Sequence, residues 1–307
     1  KLNLPADFTG AAVTDFNGKR YGFTVGGDTV ELLHQLSVSS GATLYMTLLA
    51  AFYVLLYKYT GQDDIVVGAV IAGRRHESLQ DIIGMFVNTL PLRGHPGGEK
   101  TFLEFLNEIK EHAVEAFENQ DVQLETLVDR LDLGRDLSRN PLFDVCFAMQ
   151  NFERSDVVME QIEDVTFSLH PIEFDTSIFD LGIDVVERET DIVFEIEYRT
   201  ALFKPETIQR MAGHLETILH RVSREPALRI AEIDMLTPEE KKKILVDFND
   251  TAEPYPADKT ILALIEEQSA RTPDAVAVAG ICRGMETPEL MSMTYGELIG
   301  QAELLAA

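Results

Sequence analysis

The feature that most constrains this chain is an apolar run from Leu44 to Tyr57, which only Thr47 interrupts. Apolar residues recur there at helical spacing, and the opposite face is largely apolar too. The run therefore predicts a helix that is buried on most sides. It is too short to cross a bilayer, which requires about 20 apolar residues. The β-branched run at 64–72 then predicts a buried strand, so the two segments indicate a substantial core.

The rest of the chain alternates between helical and strand patterns. The Asn17-Gly18 pair predicts a hairpin turn between two short strands within 11–25. Apolar periodicity predicts helices at 29–39, 77–82, 101–119, 123–131 and 205–222 and from 261 and 294, and strands at 86–93, 142–150, 163–170, 180–187, 191–198 and 275–279. This order, with a late antiparallel hairpin at 180–198, predicts a mixed α/β domain.

Composition excludes several classes of partner. The chain has 307 residues, which suggests about two domains, and 45% of them are hydrophobic. A formal net charge of −26 argues against binding to nucleic acid or to an anionic membrane surface. The two cysteines, Cys146 and Cys282, lie far apart, so we expect no disulfide scaffold and a cytoplasmic location. We expect Cys146, within an apolar run, to be a buried and inert thiol.

The amino-acid composition changes after the last predicted helix of the α/β domain. Residues 224–258 carry four prolines and a charged cluster that follows Thr237, the predicted N-cap of one short helix. We therefore expect one domain over 1–223, a linker over 224–258 and part of a second domain over 259–307. The chain begins with Lys1 and ends inside a predicted helix, so we expect a piece of a longer protein.

Common catalytic motifs are missing from the sequence. It contains no GxSxG, GxxxxGK[ST], GxGxxG, CxxC or HExxH pattern, so no hydrolase elbow, phosphate loop or metal site is predicted. Each of the seven histidines is predicted to be a solvated or a core histidine. Residue patterns alone therefore indicate only a soluble, acidic α/β protein.

Three longer strings are more specific. They are AGRR at 72–75 with IGMFVNTLPLR at 83–93, NQDVQLETLV at 119–128, and RDLSRNPLF at 135–143. In this order and spacing they resemble late core motifs of nonribosomal peptide synthetase condensation domains, over about residues 1–235. The family often has His, Pro and Phe where this chain has Asn119, Gln123 and Leu124. These departures are tolerable because an aliphatic side chain still fills an apolar site.

A fourth string lies near the end of the chain. MTYGEL at 293–298, preceded by TPDAVA at 272–277, resembles the first core motif of an adenylation domain. The residues of this motif are Thr294, Tyr295 and Glu297. For Thr294 and Glu297 we expect an N-cap and its capping-box partner rather than a nucleotide contact.

The resemblance implies a fold and a reaction. The family fold is similar to chloramphenicol acetyltransferase: two lobes enclose a channel, which carrier-protein arms enter from opposite sides. The acceptor amine attacks the donor thioester, and the protein contributes mainly positioning. This chain is expected to supply the C-terminal lobe, a mixed sheet with flanking helices, on the acceptor side. The family's histidine motif HHxxxDG is not in it, so we expect no catalytic residue and no activity from the chain alone.

The resemblance also implies roles for particular residues. Gly84, Met85 and Asn88 are expected on the wall of the substrate channel, although the Asn88 amide could instead satisfy a neighbouring loop. The third string is expected to form a structural motif made of Asp136, Ser138, Arg139 and Asn140. Within it, Arg139 is expected to pair with Asp136 or with a backbone carbonyl.

The implied cofactors and partners belong to a larger assembly. Phosphopantetheine would arrive on partner carrier proteins, while ATP and Mg would serve only a complete adenylation domain, and none is expected to bind this chain directly. The partners are peptidyl carrier proteins, the N-terminal condensation lobe and the remainder of the adenylation domain. Alternatives are a non-catalytic docking platform, an epimerisation or cyclisation relative, and a free-standing acyltransferase.

Overall fold

The computed structural model describes residues 2–9, 15–79, 81–131, 139–150, 175–281 and 290–306. The chain divides into two compact units, Lys1–Lys243 and Ile244–Ala307. The first unit holds the core, because the buried apolar side chains of the described residues all fall between Leu2 and Ile233.

The elements of the first unit alternate in type along the chain. In order they are β1 (Gly18–Gly26), α1 (Asp28–Ser39), α2 (Leu44–Thr60), β2 (Ile65–Ile71), β3 (Asn88–Gly94), α3 (Phe102–Glu118), α4 (Leu124–Leu131), β4 (Val145–Gln150), β5 (Leu181–Glu187), β6 (Asp191–Arg199), α5 (Pro205–Arg224) and α6 (Pro238–Leu245), which runs over the boundary between the units. Short 3-10 turns occur at Glu77–Leu79 and Ile230–Glu232.

The first six strands form one mixed sheet in the order β1-β6-β5-β4-β2-β3. The β4 strand runs parallel to both β2 and β5, and the other pairings are antiparallel. Alternate residues of β6 are buried. Glu195 and Glu197, which alternate with them, form ion pairs with Arg20 at 2.7 and 3.0 Å. The sheet therefore has one apolar face, and helices cover that face.

The α2 helix is the centre of the helical layer. It packs against α1, α3 and α5, and twelve of its seventeen residues are buried, as the apolar run predicts. Thr43 caps its first turn by accepting a hydrogen bond from the Met46 backbone N–H, and Gly61 ends it in the left-handed conformation. The Phe52 ring stacks on Phe147 of β4 at 5.6 Å, which joins the helix to the sheet. No single described helix is long and apolar enough to cross a membrane, although α1 and α2, bent by 106°, meet that test as a pair.

The hairpin turn predicted at Asn17-Gly18 is wrong. Gly18 is the first residue of β1, which pairs along its length with β6, and Asn17 forms a bridge with Thr176. A side chain at Gly18 would lie 2.5 Å from the backbone nitrogen of Ser177. Glycine is thus required here by a close approach of distant backbone and not by a local turn. Residues 11–14 and the strand predicted at 163–170 lie outside the described residues.

Among the described residues, the second unit contains the end of α6, a 3-10 turn at Asp247–Asn249, two further helices and a two-stranded sheet. These helices and strands are α7 (Ile261–Arg271), β7 (Val276–Ile281), β8 (Leu290–Thr294) and α8 (Tyr295–Ala306). The β8 strand, which the sequence patterns did not predict, pairs antiparallel with β7. Neither α7 nor α8 buries a residue among those described, and Leu304 and Leu305 are largely exposed.

Candidate functional site

The predicted channel residues lie at one edge of the main sheet. Asn88 is the first residue of β3 and stands opposite Ile71, the last residue of β2. The strand was predicted to begin at Phe86, but Phe86 and Val87 precede it and Val87 is 54% exposed. Met85 is 91% exposed. The loop before β3 therefore presents apolar side chains to solvent instead of burying them.

Asn88 has structural partners for both of its amide hydrogens. The side chain is 6% exposed, and Nδ2 donates to the carbonyl oxygens of Gln120 and Val122, each at 3.0 Å. Its Oδ1 accepts from the backbone N–H of Thr89 at 2.9 Å. The loop-stabilising role is thus present, and the only hydrogen-bonding capacity that Asn88 retains is as an acceptor at Oδ1. Its place on a channel wall stays a prediction.

Residues of the AGRR string at 72–75 contact the loop before β3 and stabilise it. Arg74 donates to the carbonyl oxygens of Leu79 and Gly84, and its guanidinium lies 4.4 Å from the centre of the Phe86 ring. Gly73 adopts a left-handed conformation with φ of 67°, and a side chain there would lie 1.9 Å from the Phe86 carbonyl oxygen. Only glycine fits this contact.

A second arginine connects the first string to the second. Arg75 forms an ion pair with Asp121 at 3.0 Å and donates to the Glu118 carbonyl oxygen at 3.4 Å. Both partners belong to the end of α3 and the turn that follows it, where Asn88 also binds. Residues of the first two strings therefore form one frame around the exposed loop. The sequence alone could suggest this contact only because the two strings lie close together in the chain.

The third string forms an ion pair that the sequence did not predict. Arg139 binds the carboxylate of Asp144 through Nε, at 2.8 Å, and through a second guanidinium nitrogen, which also donates to the Leu2 carbonyl oxygen. Asp144 is nearly fully buried. The expected pairing of Arg139 with a backbone carbonyl is confirmed. Asn140 donates to the Ile178 carbonyl oxygen at 3.4 Å, while Asp136 and Ser138 lie outside the described residues.

A second ion pair adjoins the first. Arg199, at the end of β6, donates to Asp180 at 2.8 Å and to the Ile178 carbonyl oxygen at 3.0 Å. Burial raises the pKa of Asp180 to about 6, an effect that Asp144 reinforces and Arg199 opposes. The Asp180 backbone N–H also donates to the Asp144 carbonyl oxygen at 2.9 Å. The third string therefore fixes the starts of β4 and β5 together.

Two further predictions concern single side chains. Cys146 is 5% exposed, so the expectation of a buried thiol is confirmed, and burial raises the pKa of this thiol to about 12. Of the predicted core or solvated histidines, His214 is a core histidine: it is 4% exposed and bonds Tyr59 and Glu240. No sequence pattern predicted this trio.

The adenylation-like string forms the capping box that was expected. Thr294 Oγ1 accepts from the Glu297 N–H at 3.3 Å, and Glu297 Oε2 accepts from the Thr294 N–H at 2.9 Å. These bonds to Thr294 lower the pKa of Glu297. Tyr295 begins α8, and its N–H donates to the Ala275 carbonyl oxygen at 3.0 Å. Within the described part of the chain, no group of three metal-ligating side chains converges.

This architecture and these strings define a class of protein. The sequence pattern of the condensation domain matches residues 1–245. Bacitracin synthase 3 of Bacillus licheniformis is 42% identical over 305 residues, which are 99% of this chain and 5% of that protein. The chain spans 4 to 11% of the length of the curated relatives it matches. It belongs to the condensation-domain family of nonribosomal peptide synthetases.

Solved structures agree with the fold. A four-domain nonribosomal peptide synthetase, solved with AMP and glycine, superposes with a TM-score of 0.80 at 23% identity, over 99% of this chain and 23% of that one. A condensation domain from monacolin K polyketide synthase superposes with a TM-score of 0.64 at 22% identity, over 75% of this chain and 52% of that one. The mixed sheet with its helices is therefore a condensation-type α/β fold.

Proposed function

We propose that this chain supplies the second, acceptor-side lobe of a condensation domain that joins two carrier-bound thioesters through a peptide bond. The observation that carries the proposal is the frame built by the first two strings, in which Arg74, Arg75 and Asn88 hold an exposed apolar loop at the sheet edge. The solved condensation domain is about twice as long as the part that this chain matches, which is consistent with one lobe of two.

In this proposal the loop of Gly84 and Met85, with Asn88 behind it, forms one wall of the substrate channel. Such a wall would position a phosphopantetheine-bound aminoacyl group beside the donor thioester, and orientation of that kind is worth several kcal/mol in rate. The histidine that acts on the acceptor amine would come from the HHxxxDG lobe. The chain alone would then be inactive.

The C-terminal part of the chain would begin an adenylation domain. We assign 1–223 to the condensation lobe, 224–258 to the linker and 259–307 to the first part of the adenylation domain, with Thr294, Tyr295 and Glu297 in its first motif. The described helices α7 and α8 bury no residue, which is consistent with a need for further chain around them. ATP and Mg would bind only the complete domain, which would act in the cytoplasm.

A docking platform is the second candidate. The chain would then bind carrier protein and adenylation domain without contributing to the reaction. The exposed Ile83, Met85 and Val87 fit either role, because a loop of apolar side chains can line a channel or contact a protein partner.

Reconstitution separates the two candidates. Two loaded carrier proteins are mixed with this chain alone and with the chain plus a separately produced N-terminal lobe, and condensed product is measured by mass spectrometry. We expect product only in the second mixture. Met85→Glu, which places a charge in the proposed channel, should reduce that product at least about tenfold without lowering the thermal midpoint.

The matched control is Val38→Glu, because Val38 is 81% exposed in the last turn of α1 and is not part of the loop. Product from the chain alone would overturn the two-lobe mechanism. Absence of product in both mixtures, with carrier binding retained, would favour the docking platform.

A further inference from the structure

A buried histidine connects α6, the helix that runs over the boundary between the units, to the condensation body, which is the part of the first unit that precedes α6. His214 of α5 is 4% exposed. Its Nδ1 lies 2.7 Å from the Tyr59 hydroxyl of α2, and its Nε2 lies 2.9 Å from a carboxylate oxygen of Glu240 in α6. One imidazole thus contacts two helices other than its own, and its two nitrogens are both engaged.

The direction of the hydrogen bonds follows from the protonation of the two partners. Burial raises the pKa of Tyr59 to about 12, so its hydroxyl retains the proton and can donate to Nδ1. A neutral His214 then carries its hydrogen on Nε2 and donates it to Glu240. Burial of Glu240 raises its pKa, but hydrogen bonds from Thr237 and His214 outweigh this and lower it, so the carboxylate stays an acceptor. Arg210 is the cation near Tyr59.

Glu240 has a second role in the same helix. It accepts from the Thr237 N–H at 2.9 Å, and Thr237 Oγ1 accepts from the Glu240 N–H at 3.2 Å, which forms a capping box at the start of α6. The α6 helix buries no side chain of its own. Its polar contacts include an ion pair of Lys241 with Asp234 and the bond between Glu240 and His214, which is a buried group.

The chain that leads into α6 is already fixed to the body. Ile230 and Ile233 are buried, the Ile230 N–H donates to the Lys100 carbonyl oxygen at 2.8 Å, and Lys58 donates to the Ala231 carbonyl oxygen at 2.8 Å. After α6, residues 246–260 are all exposed. The α6 helix therefore lies between a segment that packs on the body and a segment that is exposed to solvent.

We propose that Tyr59, His214 and Glu240 form a clasp that docks α6 on the condensation body. With the clasp closed, the exposed segment that precedes α7 starts after Leu245. With it open, the residues of α6 join that segment and lengthen it. The clasp would thereby set the length of exposed chain before α7, a property that is separate from the condensation reaction itself.

Tryptic cleavage of the full chain after Lys241, Lys242 and Lys243 in α6 reports on the clasp. Under conditions where opening is fast, the cleavage rate is proportional to the open population. Glu240→Ala should raise this rate about tenfold or more, as expected for loss of a charge-assisted, partly buried hydrogen bond. Glu239→Ala is the control, because Glu239 lies in the same turn and is exposed, and we expect less than about a twofold change.

Two further variants isolate the histidine contact. Thr237→Ala removes the capping hydroxyl and leaves Glu240 free to bind His214, so it should raise cleavage much less than Glu240→Ala. Tyr59→Phe changes one hydroxyl and is the mildest variant; it should raise cleavage several-fold while cleavage after Lys110 in α3, which reports unfolding of the body, stays unchanged.

Either of two results would overturn the clasp. One is a Glu240→Ala rate equal to that of Glu239→Ala, and the other is a Thr237→Ala rate equal to that of Glu240→Ala, which would reduce the effect to helix capping. If Glu240→Ala also accelerates cleavage after Lys110, the comparison rests on Tyr59→Phe, for which an unchanged rate would exclude the clasp.

Discussion

A buried asparagine side chain requires a hydrogen-bond acceptor for each of its two amide N–H groups. Asn88 meets this requirement with two backbone carbonyls from the turn after α3, those of Gln120 and Val122. The bond crosses from the start of a strand to a turn between two helices. Asn88 therefore fixes the position of the loop before β3, whether that loop contacts a substrate or a protein partner.

A pair of substitutions at this position has a predicted order. Asn88→Ala leaves two carbonyl oxygens without their donor and should lower the free energy of unfolding by about 1–3 kcal/mol. Asn88→Asp should be more destabilising, because an ionised carboxylate replaces the donor and faces the same oxygens. Thermal or denaturant unfolding measures both changes.

The control is Asn119→Ala, since the Asn119 side chain is exposed and donates to the Glu115 carbonyl oxygen of the preceding helix. We expect a change within about 0.5 kcal/mol. Equal stability of Asn88→Ala and Asn119→Ala would mean that the two carbonyls find water when the amide is removed.

At the level of single residues, the first string singled out Asn88 and the third singled out Arg139, and whether either belongs to a functional site stays a prediction. The kind of partner was partly predicted but its identity was not: Asp144, five residues further along the chain, pairs with Arg139, and backbone carbonyls of the distant turn after α3 accept from Asn88. No local pattern encodes which distant group will meet a buried amide or guanidinium. The contacts of His214 were not predicted, because a histidine in an amphipathic helix has the same sequence pattern around it with or without buried partners.

Among the elements, two glycines show how the same substitution can have opposite effects. Gly61 ends α2 with φ of 68°, and Gly213 lies within α5; a side chain at either one meets no neighbouring atom within 4 Å. Only the backbone conformation distinguishes them. A β-carbon is disfavoured in the left-handed region and favoured in a helix interior.

We therefore predict that Gly61→Ala destabilises the chain by about 1–2 kcal/mol and that Gly213→Ala stabilises it by up to about 1 kcal/mol. Denaturant unfolding of the two variants beside the parent chain tests this directly. Gly61→Asn should lose less than Gly61→Ala, because asparagine tolerates the left-handed conformation. A stabilising Gly61→Ala would show that α2 does not end through this conformation.

Helices were easier to predict than the sheet. The bounds of α1, α2, α3 and α5 follow from apolar spacing and from end signals such as Gly61 and Pro205, which act over a few residues. The strands were placed approximately, but their order was not predicted, because pairing depends on residues far away in the chain. The Asn17-Gly18 pair illustrates this: a strong turn signal was overruled by the approach of Ser177.

At the scale of the whole molecule, the segment between α6 and α7 contains exposed backbone without regular structure. Residues 250–256 lie outside any helix or strand and are exposed throughout. We predict that the protease Asp-N cleaves before Asp250 and Asp258 much faster than before Asp184, which lies within β5. Mass spectrometry of the early products identifies the sites.

The product 1–249 should stay folded, because the buried core of the described residues ends at Ile233. Circular dichroism of the purified product measures this, and an unfolded 1–249 would contradict it. Equal cleavage before Asp184 and Asp250 would mean that β5 opens as readily as the exposed segment between α6 and α7.

The sheet order has a consequence for how this chain is made. The edge strand β1 pairs with β6 at every position from Gly18↔Arg199 to Gly26↔Asp191. At about 5–20 residues per second, a ribosome delivers β6 on the order of ten to forty seconds after β1. During that interval β1 is a nascent strand without its partner, next to a strongly apolar α2 that has already emerged. We expect the newly made chain, more than the finished protein, to need protection by a chaperone.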